Sequence, residues 1–120
     1  IANGQLGRND CCGAGASGAC NVYGSLSDAF QRTGHLASWN GGTTAFNAIE
    51  SQILQGRPLG IRVAWSGGGA HFICATGTED NGLVWVSDCG SGTTSLVAYN
   101  TLVNSYNGSG SWTHSYFTKP

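Results

Sequence analysis

Charged side chains are scarce in this chain. Five Lys or Arg and six Asp or Glu among 120 residues leave a formal net charge of −1. That is no electrostatic footprint for a polyanion, so nucleic acid is excluded as an expected partner. Long apolar runs are lacking too: the stretch around Ile61 to Trp65 is interrupted almost at once, whereas a membrane-spanning helix needs roughly 20 apolar residues. No membrane span is expected. A signal peptide is missing and Ile1 is not an initiator Met, which reads as a processed or excised piece of a longer chain. The length leaves no room for a second core, and residues 1–120 are expected to form a single domain.

What is present is glycine, small polar residues and cysteine. Twenty glycines with abundant Ser, Thr and Asn suit a secreted bacterial or fungal protein. Five cysteines, Cys11, Cys12, Cys20, Cys74 and Cys89, exceed what a cytosolic domain of this size carries and favour an oxidising, extracellular compartment. Their odd number implies a reactive thiol, an intermolecular partner, or half of a bridge completed elsewhere.

Along the chain, residues 1–24 show no sustained periodicity and are expected to be a stapled loop region. Ser25 to Arg32 reads as a short helix with Ser25 or Ser27 as its cap and Gly34 as its stop. A second helix is expected from Thr44 to Gly56, because Phe46, Ile49, Ile53 and Leu54 recur at helical spacing and Gly56 suits a left-handed terminus. After Pro58 the pattern changes to strands at Leu59 to Trp65, Ala70 to Thr76, Leu83 to Asp88, Ser95 to Tyr99 and Ser111 to Thr118, with a further helical turn between Tyr99 and Tyr106. Gly-rich turns between the strands are antiparallel hairpin grammar, so the chain is expected to be α+β with its helices on one side of the sheet.

His71 opens one predicted strand behind Gly67-Gly68-Gly69, and Asp88 ends the next. With the turn centred on Asp80 and Asn81, Ile73 opposes Asp88 and His71 becomes its diagonal neighbour at roughly 7–8 Å, within side-chain reach. A carboxylate holding one imidazole nitrogen fixes the tautomer and makes the other nitrogen a better base. A two-residue turn at Asn81-Gly82 would instead put Cys74 opposite Cys89, within bridging range, and separate His71 from Asp88. The longer turn is the preferred reading, and a bulge would reconcile the two. Taken alone, His71 is more often a half-buried histidine satisfied by a carbonyl, and Asp88 a turn residue. The glycine run is followed by neither Lys-Ser nor Lys-Thr, which argues against phosphate binding. Cys11, Cys12 and Cys20 lack a C-x-x-C pair and read as disulfide partners rather than zinc ligands. Trp65, Trp85 and Trp112 are expected to be core aromatics or the lining of a groove for peptide or sugar.

The run Gly56-Arg57-Pro58-Leu59-Gly60-Ile61 followed by His71-Phe72-Ile73 resembles bacterial papain-like cysteine peptidases. The resemblance covers most of the chain and is most specific between Gly56 and Asp88. It implies a papain-like fold, His71 as general base and Asp88 as its orienting residue. The family's nucleophile is a helix-borne Cys with a Gln upstream, an offset matched by Cys11 and Gln5. The Gly-rich stretch after Cys12 is a poor central helix, however, each interior Gly costing about 1 kcal/mol relative to Ala. A better alignment sets Ile1 to Cys12 after the nucleophile helix, with the nucleophile upstream of Ile1 or on a second chain and a missing cysteine pairing with Cys11 or Cys12.

The expectation is therefore a secreted, disulfide-stapled peptidase domain acting on peptide or protein substrates through a thioester, with no metal or organic cofactor. Chain 1–120 would be the C-terminal portion of a longer precursor or of a two-segment enzyme. Rival readings are an inactive papain-like binding or inhibitory module and a secreted carbohydrate-binding module.

Overall fold

The computed structural model describes residues 2–14 and 18–120. In chain order these form α1 (Ala2–Leu6), α2 (Cys11–Ala14), a 3-10 turn at Gly18–Cys20, α3 (Leu26–Thr33), β1 (Leu36–Gly41), α4 (Phe46–Leu54), β2 (Leu59–Trp65), β3 (Ala70–Glu79), β4 (Leu83–Asp88), β5 (Thr93–Ala98), α5 (Tyr99–Asn104) and β6 (Gly110–Thr118). The strands make one six-stranded sheet in the order β1-β6-β2-β3-β4-β5. Every neighbouring pair in it is antiparallel. This is the expected α+β class.

Alternation along the central strands builds the core. Leu59, Ile61 and Val63 of β2, Ile73 and Ala75 of β3, and Val84 and Val86 of β4 are buried on one face, under Ile49 of α4 and Leu102 of α5. Each fully buried aliphatic side chain contributes about 1.5–3 kcal/mol, which makes this face the main source of stability. Phe46, Ile49 and Ile53 form the apolar stripe of α4, but Leu54 lies off it and is 85% exposed. A helix places consecutive residues about 100° apart, so Ile53 and Leu54 cannot both face a flat sheet.

The opposite face carries α3. Ser25 caps it, its side chain accepting a hydrogen bond from the Asp28 N–H, and Gly34 ends it at φ 78°. A Cβ on Gly60 would lie 3.0 Å from Leu26 Cδ2 and from Phe30 Cε2, so a bare strand residue lets the helix settle there. The expectation of helices on one side is thereby corrected. Helices cover both faces, because Gly60 alternates with the core residues Leu59 and Ile61 and so points the other way.

Strand β1 is absent from the sequence reading. Its residues are mostly exposed and do not alternate, and it is held by backbone pairing to β6, with Trp39 opposite Tyr116. The amino-terminal region, expected to be a loop, instead carries the short helices α1 and α2 and a 3-10 turn, single turns too brief to show a periodicity in the sequence. It is stapled, but within itself, Cys11 pairing with Cys20. The Cys11 N–H also donates to Asn3 Oδ1 at 2.8 Å, tying α2 to α1.

The hairpin between β3 and β4 decides the site. Near the turn Glu79 faces Leu83 and Thr78 faces Val84, around Asp80-Asn81-Gly82 with Asn81 at φ 69° and Gly82 at φ 74°. A bulge between Ala75 and Gly77 then shifts the register by one, and Ile73 faces Asp88. Cys74 pairs with Ser87 and not with Cys89, and both thiols are free. The bulge sits where Gly77 leaves room: a Cβ there would be 3.0 Å from Trp85 Cδ1.

Ile49→Ala is expected to destabilise the domain by about 2–5 kcal/mol, the cost of a cavity under the sheet. Leu54→Ala is expected to change stability by no more than about 0.5 kcal/mol. Urea unfolding of the two variants checks this; equal effects would mean that α4 does not present the Ile49 face to the core.

Candidate active site

The register set by the bulge brings His71 to Asp88. His71 Nε2 lies 2.6 Å from Asp88 Oδ1, the imidazole partly exposed and the carboxylate 7% exposed. Asp88 has two further donors. The Gly90 N–H reaches Oδ1 at 2.8 Å, and the Tyr106 hydroxyl reaches Oδ2 at 2.7 Å. Burial alone would push this carboxyl up; the hydrogen bonds from Tyr106, His71 and Gly90 outweigh it and hold Asp88 below the usual carboxylate range. The same bond works in reverse on Tyr106, whose hydroxyl is pushed up by burial and by donation to Asp88.

An ionised carboxylate only accepts hydrogen bonds. Nε2 therefore carries a hydrogen toward Asp88, and in the neutral ring the lone pair lies on Nδ1. An imidazole held through one nitrogen by a carboxylate is an arrangement able to activate a thiol or hydroxyl.

Three further residues hold the pair in place. Trp65 stacks on His71 with centroids 5.9 Å apart and an interplanar angle of 19°, and its far side meets Tyr106 at 6.4 Å. Trp65 fits because Gly110 opposite it lacks a side chain; a Cβ there would lie 2.8 Å from Trp65 Cζ3. Gly90 closes over the pair, where a Cβ would come 3.0 Å from His71 Cε1 and 3.1 Å from Asp88 Oδ1. Tyr106 arrives from outside the hairpin, pinned by reciprocal backbone bonds of 2.8 Å with Gly110 across the turn that holds Asn107 at φ 47°.

His71 lines an open cleft of about 720 Å³ between the loop of residues 21–24 and the ends of the central strands, with Trp65, Phe72 and Cys89 on the same wall. Neither Cys11 nor Gln5 lines it. Cys11 is buried and bonded to Cys20, which removes its thiol, and Gln5 lines an adjacent recess with Leu6 and Arg32. The expected pairing of Cys11 with His71, and of Gln5 as its oxyanion donor, is therefore not what the fold assembles: the disulfide takes Cys11 away from this chemistry. The alternative pairing of Cys11 with a cysteine elsewhere yields likewise to Cys20.

The other aromatic residues named from the sequence divide. Trp112 is a core residue at 5% exposure, and the Trp85 indole N–H donates to Glu79 Oε1 at 2.9 Å. Of the three tryptophans considered for a groove, only Trp65 borders the cleft. His35 Nδ1 contacts the Lys119 carbonyl at 3.2 Å, and His114 Nδ1 the Thr113 hydroxyl at 3.0 Å, so neither has an acidic partner. Residues missed by the sequence reading are Tyr106 and Gly90, and Cys89 was read only as a bridge partner for Cys74. Gly90 carried a weak signal, following Asp88 in a Cys-Gly-Ser-Gly turn; Tyr106 carried none, since only the α5–β6 connection returns it to the sheet end.

The two shifted groups predict a stability profile. A depressed folded value for Asp88 means its contribution is present above the unfolded carboxyl pKa of about 3.9 and is lost as pH falls through the folded value. A raised value for Tyr106 means the reverse: its contribution is present below the unfolded phenol pKa of about 10 and is lost at higher pH. Tyr106→Phe is expected to flatten both limbs in pH-dependent urea unfolding. An unchanged profile would show that the Tyr106 bond to Asp88 contributes nothing.

No family model matches the chain, and neither a curated protein nor a solved structure does.

Proposed function

We propose that this chain supplies the base and its orienting acid to a papain-like cysteine peptidase that hydrolyses peptide or isopeptide bonds through a thioester. The observation that carries the reading is the 2.6 Å bond from His71 Nε2 to buried Asp88, which leaves Nδ1 as the free base beside an open cleft. An α+β scaffold, an intrachain disulfide and the His71-Phe72-Ile73 strand agree with it. The disulfide also fits an extracellular setting.

In the proposed reaction Nδ1 takes the proton from an attacking thiol, and the thiolate adds to the scissile carbonyl carbon. The tetrahedral oxyanion collapses to a thioester while the imidazolium returns the proton to the leaving amine. Water, deprotonated by Nδ1, then releases the acid and restores the thiol. Asp88 remains ionised throughout and stabilises the imidazolium. With Cys11 bound to Cys20, the thiol is proposed to enter the cleft from a segment preceding Ile1 or from a second chain. The backbone and side-chain groups along the cleft wall would then select the peptide.

In peptide cleavage by the natural gene product, His71→Ala is expected to lower kcat about 10²- to 10⁴-fold, the usual contribution of a positioned acid–base group. Asp88→Asn is expected to lower it less while shifting the pH profile. Undiminished cleavage by His71→Ala would sink the proposal. Absence of any cleavage would favour a binding or inhibitory module built on the same scaffold.

A further inference from the structure

The turn after β4 places a third chemically active side chain at the His71–Asp88 pair. Cys89 is exposed and carries a free thiol. One donor atom from each of His71, Asp88 and Cys89 lies within 4.8 Å of the other two. We propose that these three residues form a binding site for a thiophilic divalent transition metal, zinc above all, and that its occupation switches the base off. The switching part rests on the peptidase reading; the site itself does not.

Donor chemistry selects the metal. A thiolate, an imidazole and a carboxylate together match zinc, cobalt(II) or cadmium, while magnesium and calcium require an all-oxygen shell. Zinc takes its ligands at about 2.0–2.3 Å. Drawing the three atoms onto one ion therefore needs a rotation of the exposed Cys89 side chain, now 3.6 Å from the Phe72 carbonyl, and a slight opening of the His71–Asp88 contact. Asp88 and Cys89 are consecutive, and His71 sits on the paired strand, so all three donors hang on one hairpin.

The surroundings resemble an outer shell. The Tyr106 hydroxyl and the Gly90 N–H already orient the Asp88 carboxylate, at 2.7 Å and 2.8 Å. His71 and Cys89 both line the open cleft, which provides an entry path and room for water as a fourth ligand. Among the described residues the only other cluster of this kind is Asp10 with Cys11 and Cys20, and its two sulfurs are bonded to each other. It retains no thiolate to offer.

Binding releases the Cys89 proton to solvent. If the metal takes Nε2, the ring hydrogen moves to Nδ1; if it takes Nδ1, it occupies the lone pair directly. Both remove the base. An ion of this kind would hold a peptidase inactive until a chelator or a substrate-bearing environment withdrew it.

The test uses cobalt(II) as the probe, with Cys12→Ala and Cys74→Ala introduced so that Cys89 is the remaining free thiol, and with no reductant present. One equivalent of cobalt(II) is expected to give a thiolate-to-metal charge-transfer band that zinc abolishes by displacement. Cys89→Ser, at an exposed position, is expected to remove the band without moving the unfolding midpoint, and His71→Ala to weaken cobalt binding at least tenfold. A missing band, or one that survives Cys89→Ser, overturns the site. In peptide cleavage by the natural gene product, zinc is expected to inhibit the parent and to spare Cys89→Ser. Equal inhibition of both overturns the switch. Because the band is read without substrate, a failure of the peptidase reading leaves the result on the metal site intact.

Discussion

A carboxylate removed from water must be met by donors, and the end of this sheet is arranged around that demand at Asp88. Losing hydration without compensation would cost several kcal/mol or force the group to stay protonated. Three donors from three parts of the chain prevent this: His71 from β3, Gly90 from the turn after β4, and Tyr106 from the turn before β6. Because Asp88 is thereby kept ionised, the tautomer of a neutral His71 follows from it, with the hydrogen on the nitrogen that faces the carboxylate.

The packing around this group serves the same end. Trp65 stacks on His71 and backs onto Tyr106, so one aromatic plane packs against both the imidazole and a hydrogen-bond donor to Asp88. Two glycines make that close approach possible, Gly110 beneath Trp65 and Gly90 over the His71–Asp88 bond. The hydrophobic core supports the arrangement from below, since Val63 pairs with His71 and Ile73 with Asp88 along strands whose inner faces are dry. Strand ends hold side-chain geometry more rigidly than loops do.

Four of the five cysteines are told apart by their surroundings, and Cys12 remains an exposed free thiol. Cys11 and Cys20 staple the amino-terminal turns near the cleft loop. Cys74 is partly buried, which raises its thiol pKa and makes it a poor nucleophile at neutral pH. Cys89 is exposed beside an imidazole and a carboxylate, where sulfur has partners to work with. Residue type was the same throughout; environment separated them.

The sequence by itself determined most of the local elements after residue 24. Helical spacing marked α4, a serine and a glycine bounded α3, and β-rich runs between Gly-rich turns marked β2 through β6, because these patterns depend on near neighbours in the chain; the single-turn helices α1 and α2 left no such pattern. It also brought forward His71 and Asp88, whose positions at two strand ends were legible as a hairpin pair. Strand β1 was not legible, since its apolar content is slight and backbone pairing to distant β6 is what defines it. The register of the hairpin was legible only as two alternatives, and the structure follows neither at the turn, where Thr78 faces Val84; the bulge between Ala75 and Gly77 then brings Ile73 opposite Asp88. Only the tertiary structure removed Cys11 from the site, returned Tyr106 to Asp88 and set Cys89 beside His71. Those contacts join residues far apart in the chain or hang on a one-residue slip, and no local preference encodes either.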